Sequence, residues 1–215
     1  GTFKMDLSYL NYPFKTNSHF SEKFIALCGQ ARNPKEEITD RHKDIAASLQ
    51  EITEKAMLYI ANHLYKVTGS KNLSLAGGVA LNCVANGKIL SETPFENIFI
   101  QPSANDAGTA AGAALYYYYL KNPQGKRYFL NHSYLGTSHS DSEIENILLK
   151  RGVKFNKEEN LHKKAADLLS QGKIIAWFSG RIEFGPRSLG NRSILTAPYP
   201  AEMKDILNAK VKKRE

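Results

Sequence analysis

The sequence predicts an α/β fold in two domains, and three observations carry that expectation. Between Asn72 and Leu115 a short apolar run twice ends in a loop with glycine or small residues and restarts as a helical pattern. A long amphipathic pattern precedes them, from Asp40 to Tyr65. After a break at Asn122-Pro123-Gln124-Gly125, helix and strand patterns alternate again towards the C-terminal end.

Length and composition set the frame. At 215 residues with 42% hydrophobic content, the chain can bury one generous core or two small ones. A formal charge of +8 favours anionic partners such as phosphates, nucleotides or nucleic acid. The lysines are scattered, however, and only Lys210, Lys212, Lys213 and Arg214 form a dense group, which a solvated helix face explains as well as a nucleic-acid patch. Two cysteines, Cys28 and Cys83, exclude a disulfide framework and fit a reducing cytoplasm, with Cys83 expected as a small buried hydrophobe. No apolar run approaches the roughly 18 residues of a membrane span, and the first residues lack a secretory pattern. The terminal sequences Gly1-Thr2-Phe3-Lys4 and Lys213-Arg214-Glu215 suggest an internal piece of a longer protein.

In chain order, residues 1–35 are rich in aromatics, Pro, Asn and Ser. Leu7-Ser8-Tyr9-Leu10 and Tyr12-Pro13-Phe14 suggest short strands or irregular packing, and His19 and Cys28 read as packing residues. Asp40 can cap a helix whose Ile45, Leu49, Ile52, Ala56, Ile60 and Leu64 recur every three or four residues, as a core-facing scaffold would. Arg41, His42, Asp44, Ser48 and Gln50 form its polar flank. Leu73-Ser74-Leu75-Ala76 reads as a strand, Gly77-Gly78 as a turn, and Val79-Ala80-Leu81-Asn82 as the start of a helix. Asn97-Ile98-Phe99-Ile100 reads as a buried strand, residues 101–106 as a loop and 107–120 as a helix with small residues crowding its start. The four tyrosines Tyr116 to Tyr119 point all round that helix and suggest burial between layers or a subunit contact, as in a homodimer. Residues 126–136 read as a linker, followed by helices from Ser140-Asp141 to Arg151 and over 158–171. A strand over 173–178 closes at Ser179-Gly180, and a last helix covers Met203 to Asn208.

Two stretches carry candidate chemistry. Glycines admit an anion close to backbone N–H groups, and a following helix adds unpaired donors, so Gly77-Gly78 suits a phosphate or nucleotide. Asn105 and Asp106 before the next helix have capping, polar and metal-ligand capability. The second stretch runs from Gly180 to Ser193 and sets Arg181, Arg187 and Arg192 with Ser188 and Ser193 among glycines. Guanidinium forks and hydroxyls match phosphate oxygens, although arginines beside Glu183 can equally form structural ion pairs.

The words Ala76-Gly77-Gly78-Val79-Ala80-Leu81-Asn82 and Pro102-Ser103-Ala104-Asn105-Asp106-Ala107-Gly108 resemble those of the O-carbamoyltransferases of nodulation and antibiotic tailoring, as does Glu183-Phe184-Gly185-Pro186-Arg187-Ser188-Leu189-Gly190-Asn191-Arg192-Ser193-Ile194. Ser188 stands where the family more often has Ala. The resemblance implies a first domain (1–125) built like the actin, Hsp70 and sugar-kinase ATPases. It implies a linker and the start of a second domain (126–215) related to the threonylcarbamoyl-adenylate-forming fold. It further implies ATP held by Gly77, Gly78, Val79, Asn82 and Asn105, carbamoyl phosphate or ATP phosphates held by Arg181, Arg187, Arg192 and Ser193, and a divalent metal, usually taken as iron, on Asp106. Asp106, Arg187 and Arg192 would then be the catalytic set, and the acceptor a hydroxyl of a small molecule or glycan. None of the six histidines stands at the family's His-x-x-x-His spacing, so the remaining metal ligands are expected outside this chain, and the chain alone is expected to be inactive. Nucleic acid and membrane are not expected partners. Two other readings compete: an enzyme of the tRNA threonylcarbamoyladenosine type, which the basic charge would suit, and a non-catalytic nucleotide-binding module.

Overall fold

Two compact units make up the chain, one ending at Gln101 and the other beginning at Pro102. The computed structural model describes residues 4–11 and 19–213. The expected element at Tyr12-Pro13-Phe14 and Arg214 of the basic tail lie outside the described residues.

In the first unit, helix α1 (Glu22–Cys28) is capped by Ser21, whose hydroxyl accepts from Phe24 N–H. Leu7-Ser8-Tyr9 forms a 3-10 turn where a strand was one expectation, and Leu10 makes an isolated antiparallel bridge with Phe20. Helix α2 (Asp40–Thr68) is 29 residues long. Its cap is Thr39 instead of Asp40: the Thr39 N–H donates to Nδ1 of His42, and Asp40 occupies the first helical position. Gly69 ends the helix in the left-handed region, donating its N–H to Tyr65.

Strand β1 (Asn72–Leu75), helix α3 (Cys83–Glu92) and strand β2 (Asn97–Ile100) then form a β-α-β unit, with β1 and β2 parallel and Asn72 opposite Asn97. The core is Ala61 of α2, Leu73 of β1, Ile89 of α3 and Phe95 of the following turn, flanked by Met57, Leu58, Tyr65, Leu75 and Ile98. Tyr65 meets Phe95 edge-on, with ring centroids 5.8 Å apart. The packed face of α2 is thus rotated from the expected stripe, since Leu49, Ile52, Ile60 and Leu64 are exposed. The helix is apolar on more than one side, and the two-stranded sheet covers one of them. For the same reason β2 alternates, with Ile98 and Ile100 half-buried and Phe99 exposed, where the sequence suggested burial throughout. Cys83 is exposed too, because α3 packs through Ala85 and Ile89.

The second unit contains α4 (Thr109–Lys121), α5 (Asp141–Lys150), α6 (Leu161–Ser170), strand β3 (Ile175–Phe178), strand β4 (Arg192–Leu195) and α7 (Met203–Leu207), which runs on as a π-type turn to Lys212. Helix α5 has a full capping box, Ser140 with Glu143, and α6 starts at Leu161 behind the Asn160 cap, three residues after the expected Glu158. Tyr116, Tyr117 and Tyr118 are exposed and Tyr119 is half-buried, so the tyrosine run is not buried between layers of the described residues. Strand β4 was not expected from the sequence. It pairs antiparallel with β3, Phe178 opposite Arg192 and Ile175 opposite Leu195, which makes the arginine-rich stretch 179–191 the connection of a β-hairpin.

Segment 133–137, of which 133–136 was expected as linker, runs beside that connection. Gly136 N–H donates to Ile182, Ile182 N–H to Thr137, and Phe184 N–H to Ser133, at 2.8, 2.9 and 2.6 Å. No helix among the described residues is long and apolar enough to cross a membrane.

Candidate functional site

The first candidate site is built from the end of β1. Gly77 has φ +99°, a conformation that costs any L side chain, and a Cβ placed there or at Gly78 would meet nothing within 4 Å. The backbone is therefore open on that side. Residues Gly78–Leu81 form a 3-10 turn instead of the expected helix start, and α3 proper begins at Cys83. A Gly77→Ala variant isolates the backbone effect, because it adds strain without a clash. The expected outcome is a loss of about 1–2 kcal/mol, read from thermal melting.

Asn82 is the hinge between turn and helix. Its Oδ1 accepts from Ala85 N–H at 3.2 Å and from Nε2 of Gln50 at 3.2 Å, while its Nδ2 donates to Oε1 of Gln50 at 2.9 Å. This amide-to-amide pair leaves one Asn82 N–H for a ligand. Gln50 also donates to Glu54 at 2.7 Å, and Glu54, 6% exposed, accepts from Lys88. The Lys88 hydrogen bond, then that of Gln50, holds the Glu54 carboxyl below its ordinary value, and Glu54 in turn raises Lys88. Sequence reasoning placed Gln50 on a polar flank without naming a partner for it; that partner, Asn82, lies 32 residues away. Next to the turn, a groove of about 320 Å³ is lined mainly by apolar groups, among them Met57, Ile60, Leu64, Leu75 and Val79. Val79 is 57% exposed.

In the second unit, Asn105 precedes a 3-10 turn, Asp106–Gly108, yet makes no side-chain cap. Its Oδ1 is buried with no hydrogen-bond partner among the described residues, and so is the hydroxyl of Ser103, a residue only 1% exposed. Asp106 is exposed. Among the described residues no three His, Cys, Asp or Glu side chains group to hold a metal ion, so the residues present do not form a metal centre around Asp106.

The same unit brings the Pro102–Ser103 backbone against the arginine-rich loop. A Cβ on Gly185 (φ +111°) would lie 2.2 Å from the Pro102 carbonyl oxygen and 3.2 Å from Ser103 N. Two sequence words some eighty residues apart thus meet at a position where a side chain cannot fit.

Glu183 sits at the centre of the loop. Its side chain has no solvent exposure, and Oε1 accepts from the N–H groups of Leu189, Asn191 and Arg192 at 2.9, 2.8 and 3.2 Å. Oε2 accepts from Arg192 Nε at 2.7 Å, and Arg192 Nη2 donates to Gly185 at 3.1 Å. Burial alone would push this carboxyl up, but the Leu189 and other backbone N–H groups and the Arg192 guanidinium outweigh it and bring it down to about 2. Ser193 Oγ accepts from Gly190 N–H at 3.2 Å. Arg192 and Ser193, expected as phosphate ligands, therefore have partners that close the loop. Arg187 is exposed and Arg181 points elsewhere: its Nε donates to Gly136 at 2.9 Å and its Nη2 to Leu135 at 3.1 Å.

Comparison with known proteins gives the family. The family model for the carbamoyltransferase N-terminus matches residues 1–115, and that for the carbamoyltransferase C-terminus matches residues 166–215. The chain is 44% identical over 226 residues to an uncharacterised Synechocystis protein, covering 100% of this chain and 36% of that one. It is 46% identical over 180 residues to the nodulation protein NolNO of Sinorhizobium fredii, covering 82% and 26%. It is also 31% identical over 144 residues to a 3'-hydroxymethylcephem-O-carbamoyltransferase of Amycolatopsis lactamdurans, covering 66% and 26%. The chain spans at most about a third of the length of these relatives. With both family models in their expected order and each candidate loop inside or next to a matched region, this chain belongs to the carbamoyltransferase family.

Proposed function

We propose that this chain is the nucleotide- and carbamoyl-phosphate-handling part of an ATP-dependent O-carbamoyltransferase. Carbamoyl phosphate loses its phosphate to water, leaving carbamate, and a carbamate oxygen attacks the α-phosphorus of ATP with release of pyrophosphate to give carbamoyl adenylate. A hydroxyl of a small-molecule or glycan acceptor then attacks the carbamoyl carbon: its oxygen forms the new C–O bond, the proton leaves, and the bond to the adenylate phosphate breaks.

The observation that carries the reading is the Gly77 turn, open on its Cβ side and beside an apolar groove. Backbone N–H groups of Gly78 and Val79, with the remaining Asn82 N–H, suit phosphate and ribose oxygens, and the groove suits the flat face of a base. Asn105 is assigned to the nucleotide by family likeness alone. Arg187 on the hairpin loop is assigned to phosphate charge, and Arg192, held by Glu183, to keeping that loop in shape. By family likeness Asp106 would give one carboxylate to a divalent metal, iron, whose other ligands would lie outside this chain. The parent domains divide at 125/126.

Calorimetric titration with a non-hydrolysable ATP analogue tests the turn. Saturable binding by the wild-type chain that falls at least tenfold in Asn82→Ala, with both proteins folded, is the expected result. Absence of binding to the folded wild-type chain would remove the nucleotide from this turn. In the longer protein, Arg187→Ala is expected to cut transfer by about 10²–10³. Unchanged transfer would instead favour a non-catalytic nucleotide-binding module, and tRNA binding that falls steeply with salt would favour the tRNA-modifying relative.

A further inference from the structure

A run of hydrogen bonds links α3 to α2 and back again, from Lys88 through Glu54 and Gln50 to Asn82. Two groups along it can take only one role. Glu54, 6% exposed, presents a carboxylate that accepts and cannot donate, and the Ala85 N–H beyond Asn82 donates and cannot accept. The two amides between them could each face either way by shape alone, because an amide's oxygen and nitrogen are nearly the same size. Hydrogen bonding removes that freedom. Gln50 must turn Nε2 towards Glu54 Oε1, at 2.7 Å, which leaves its own Oε1 to accept from Asn82 Nδ2 at 2.9 Å. Asn82 must turn Oδ1 towards the Ala85 N–H, at 3.2 Å. The orientations required from the two ends agree, and Lys88 holds the second carboxylate oxygen of Glu54.

We infer that Glu54 is a positioning residue for the nucleotide turn: its carboxylate fixes which way Gln50 faces, and Gln50 holds Asn82 so that its remaining N–H is a donor towards the ligand. That role rests on Asn82 as a nucleotide residue; the orientations themselves rest on the hydrogen bonds alone. Lys88 decides what happens when the carboxylate is replaced. In Glu54→Gln a single side-chain oxygen faces two donors, the Lys88 ammonium and Gln50 Nε2. An ammonium can only donate and its bonds are the stronger, so Lys88 takes the oxygen and the new NH2 group is turned on Gln50. Gln50 Oε1 then swings to that NH2, and its Nε2 meets Asn82 Nδ2, donor against donor. The bond between Asn82 and Gln50 is lost although every side chain keeps its size. Without Lys88 the conflict disappears, since the oxygen at position 54 is again available to Gln50.

The test compares wild type with Glu54→Gln, Lys88→Met and the double variant Glu54→Gln/Lys88→Met at pH 8, where the Glu54 carboxyl stays ionised in Lys88→Met. Nitrogen-15 correlation NMR without ligand reads the side-chain NH2 of Asn82, and calorimetry reads affinity for a non-hydrolysable ATP analogue. The Asn82 NH2 protons are expected to be protected from exchange in wild type, Lys88→Met and the double variant, and to lose roughly tenfold in protection in Glu54→Gln. Affinity should follow the same order, about five- to tenfold weaker in Glu54→Gln alone. Melting temperature should not, because Lys88→Met removes the partner of a buried carboxylate and melts below wild type while binding as tightly. Rescue by a second destabilising change is what a merely structural Glu54 would not give. Equal Asn82 protection in wild type and Glu54→Gln would overturn the inference, as would a double variant that does not regain it. The double variant alone decides if Glu54→Gln does not fold. Affinity unchanged in Glu54→Gln despite lost Asn82 protection would overturn the positioning role. The expected protection pattern in a wild-type chain that binds no nucleotide would keep Glu54 as the residue that orients Asn82 and strike the nucleotide reading instead.

Discussion

Gly185→Ala is expected to lower the melting temperature by roughly 10 °C or more, a larger effect than that of Gly77→Ala. Two costs add. At φ +111° an L side chain is strained, at about 1–3 kcal/mol. The new methyl would also sit 2.2 Å from the Pro102 carbonyl oxygen and 2.7 Å from its carbon, so one of two backbone segments must retreat, with an overpacking cost of about 1–3 kcal/mol. Gly77→Ala carries the first cost and not the second, since nothing lies within 4 Å of its Cβ position. The difference between the two variants therefore measures the contact between the Pro102–Ser103 turn and the hairpin loop. Equal melting temperatures would show that the two segments do not touch in solution.

Glu183→Ala is expected to match or exceed that loss. The substitution strands three backbone N–H groups, of Leu189, Asn191 and Arg192, and leaves the Arg192 guanidinium without its carboxylate. Glu183→Gln keeps an oxygen for the backbone donors and loses only the charge, so it should fall between Ala and wild type. The pH dependence has a definite sign. The folded-state carboxyl titrates at about 2 against an ordinary 4.5, so its contribution to stability is fully present above pH 4.5 and is lost as pH falls from there towards 2. Melting curves of wild type and Glu183→Gln should accordingly converge as the pH drops below 4.5 and stay apart, by a constant amount, from pH 5 to 8. A gap that persists undiminished at pH 3 would mean that the carboxylate is not the anion holding the loop.

In the first unit, Gln50 orients Asn82 through two hydrogen bonds. Gln50→Ala is therefore expected to weaken nucleotide binding several-fold while costing about 1–2 kcal/mol of stability, which titration and melting separate.

Much of the local architecture was readable from residue order. Leu73-Ser74-Leu75-Ala76 and Asn97–Ile100 read as apolar runs and lie on or within one residue of the strands found, and α5 starts at the expected Ser140-Asp141, because each signal lies within a few residues of the element it marks. The motif words around Gly77, Asn105 and Arg187 pointed to the family, and the two family models that match the chain bear that out. What each of those side chains touches was not readable from residue order. Residue type made Arg181 and Arg192 equivalent, and only the path of the hairpin placed a buried carboxylate against one and two neutral carbonyls against the other. The pairing of Asn82 with Gln50, the seating of Gly185 on Pro102, and the capture of segment 133–137 by the hairpin all join positions far apart in sequence. No period or cap encodes such contacts. They exist because the folded backbone brings donors and acceptors within about 3 Å, where burial makes an unpaired one costly.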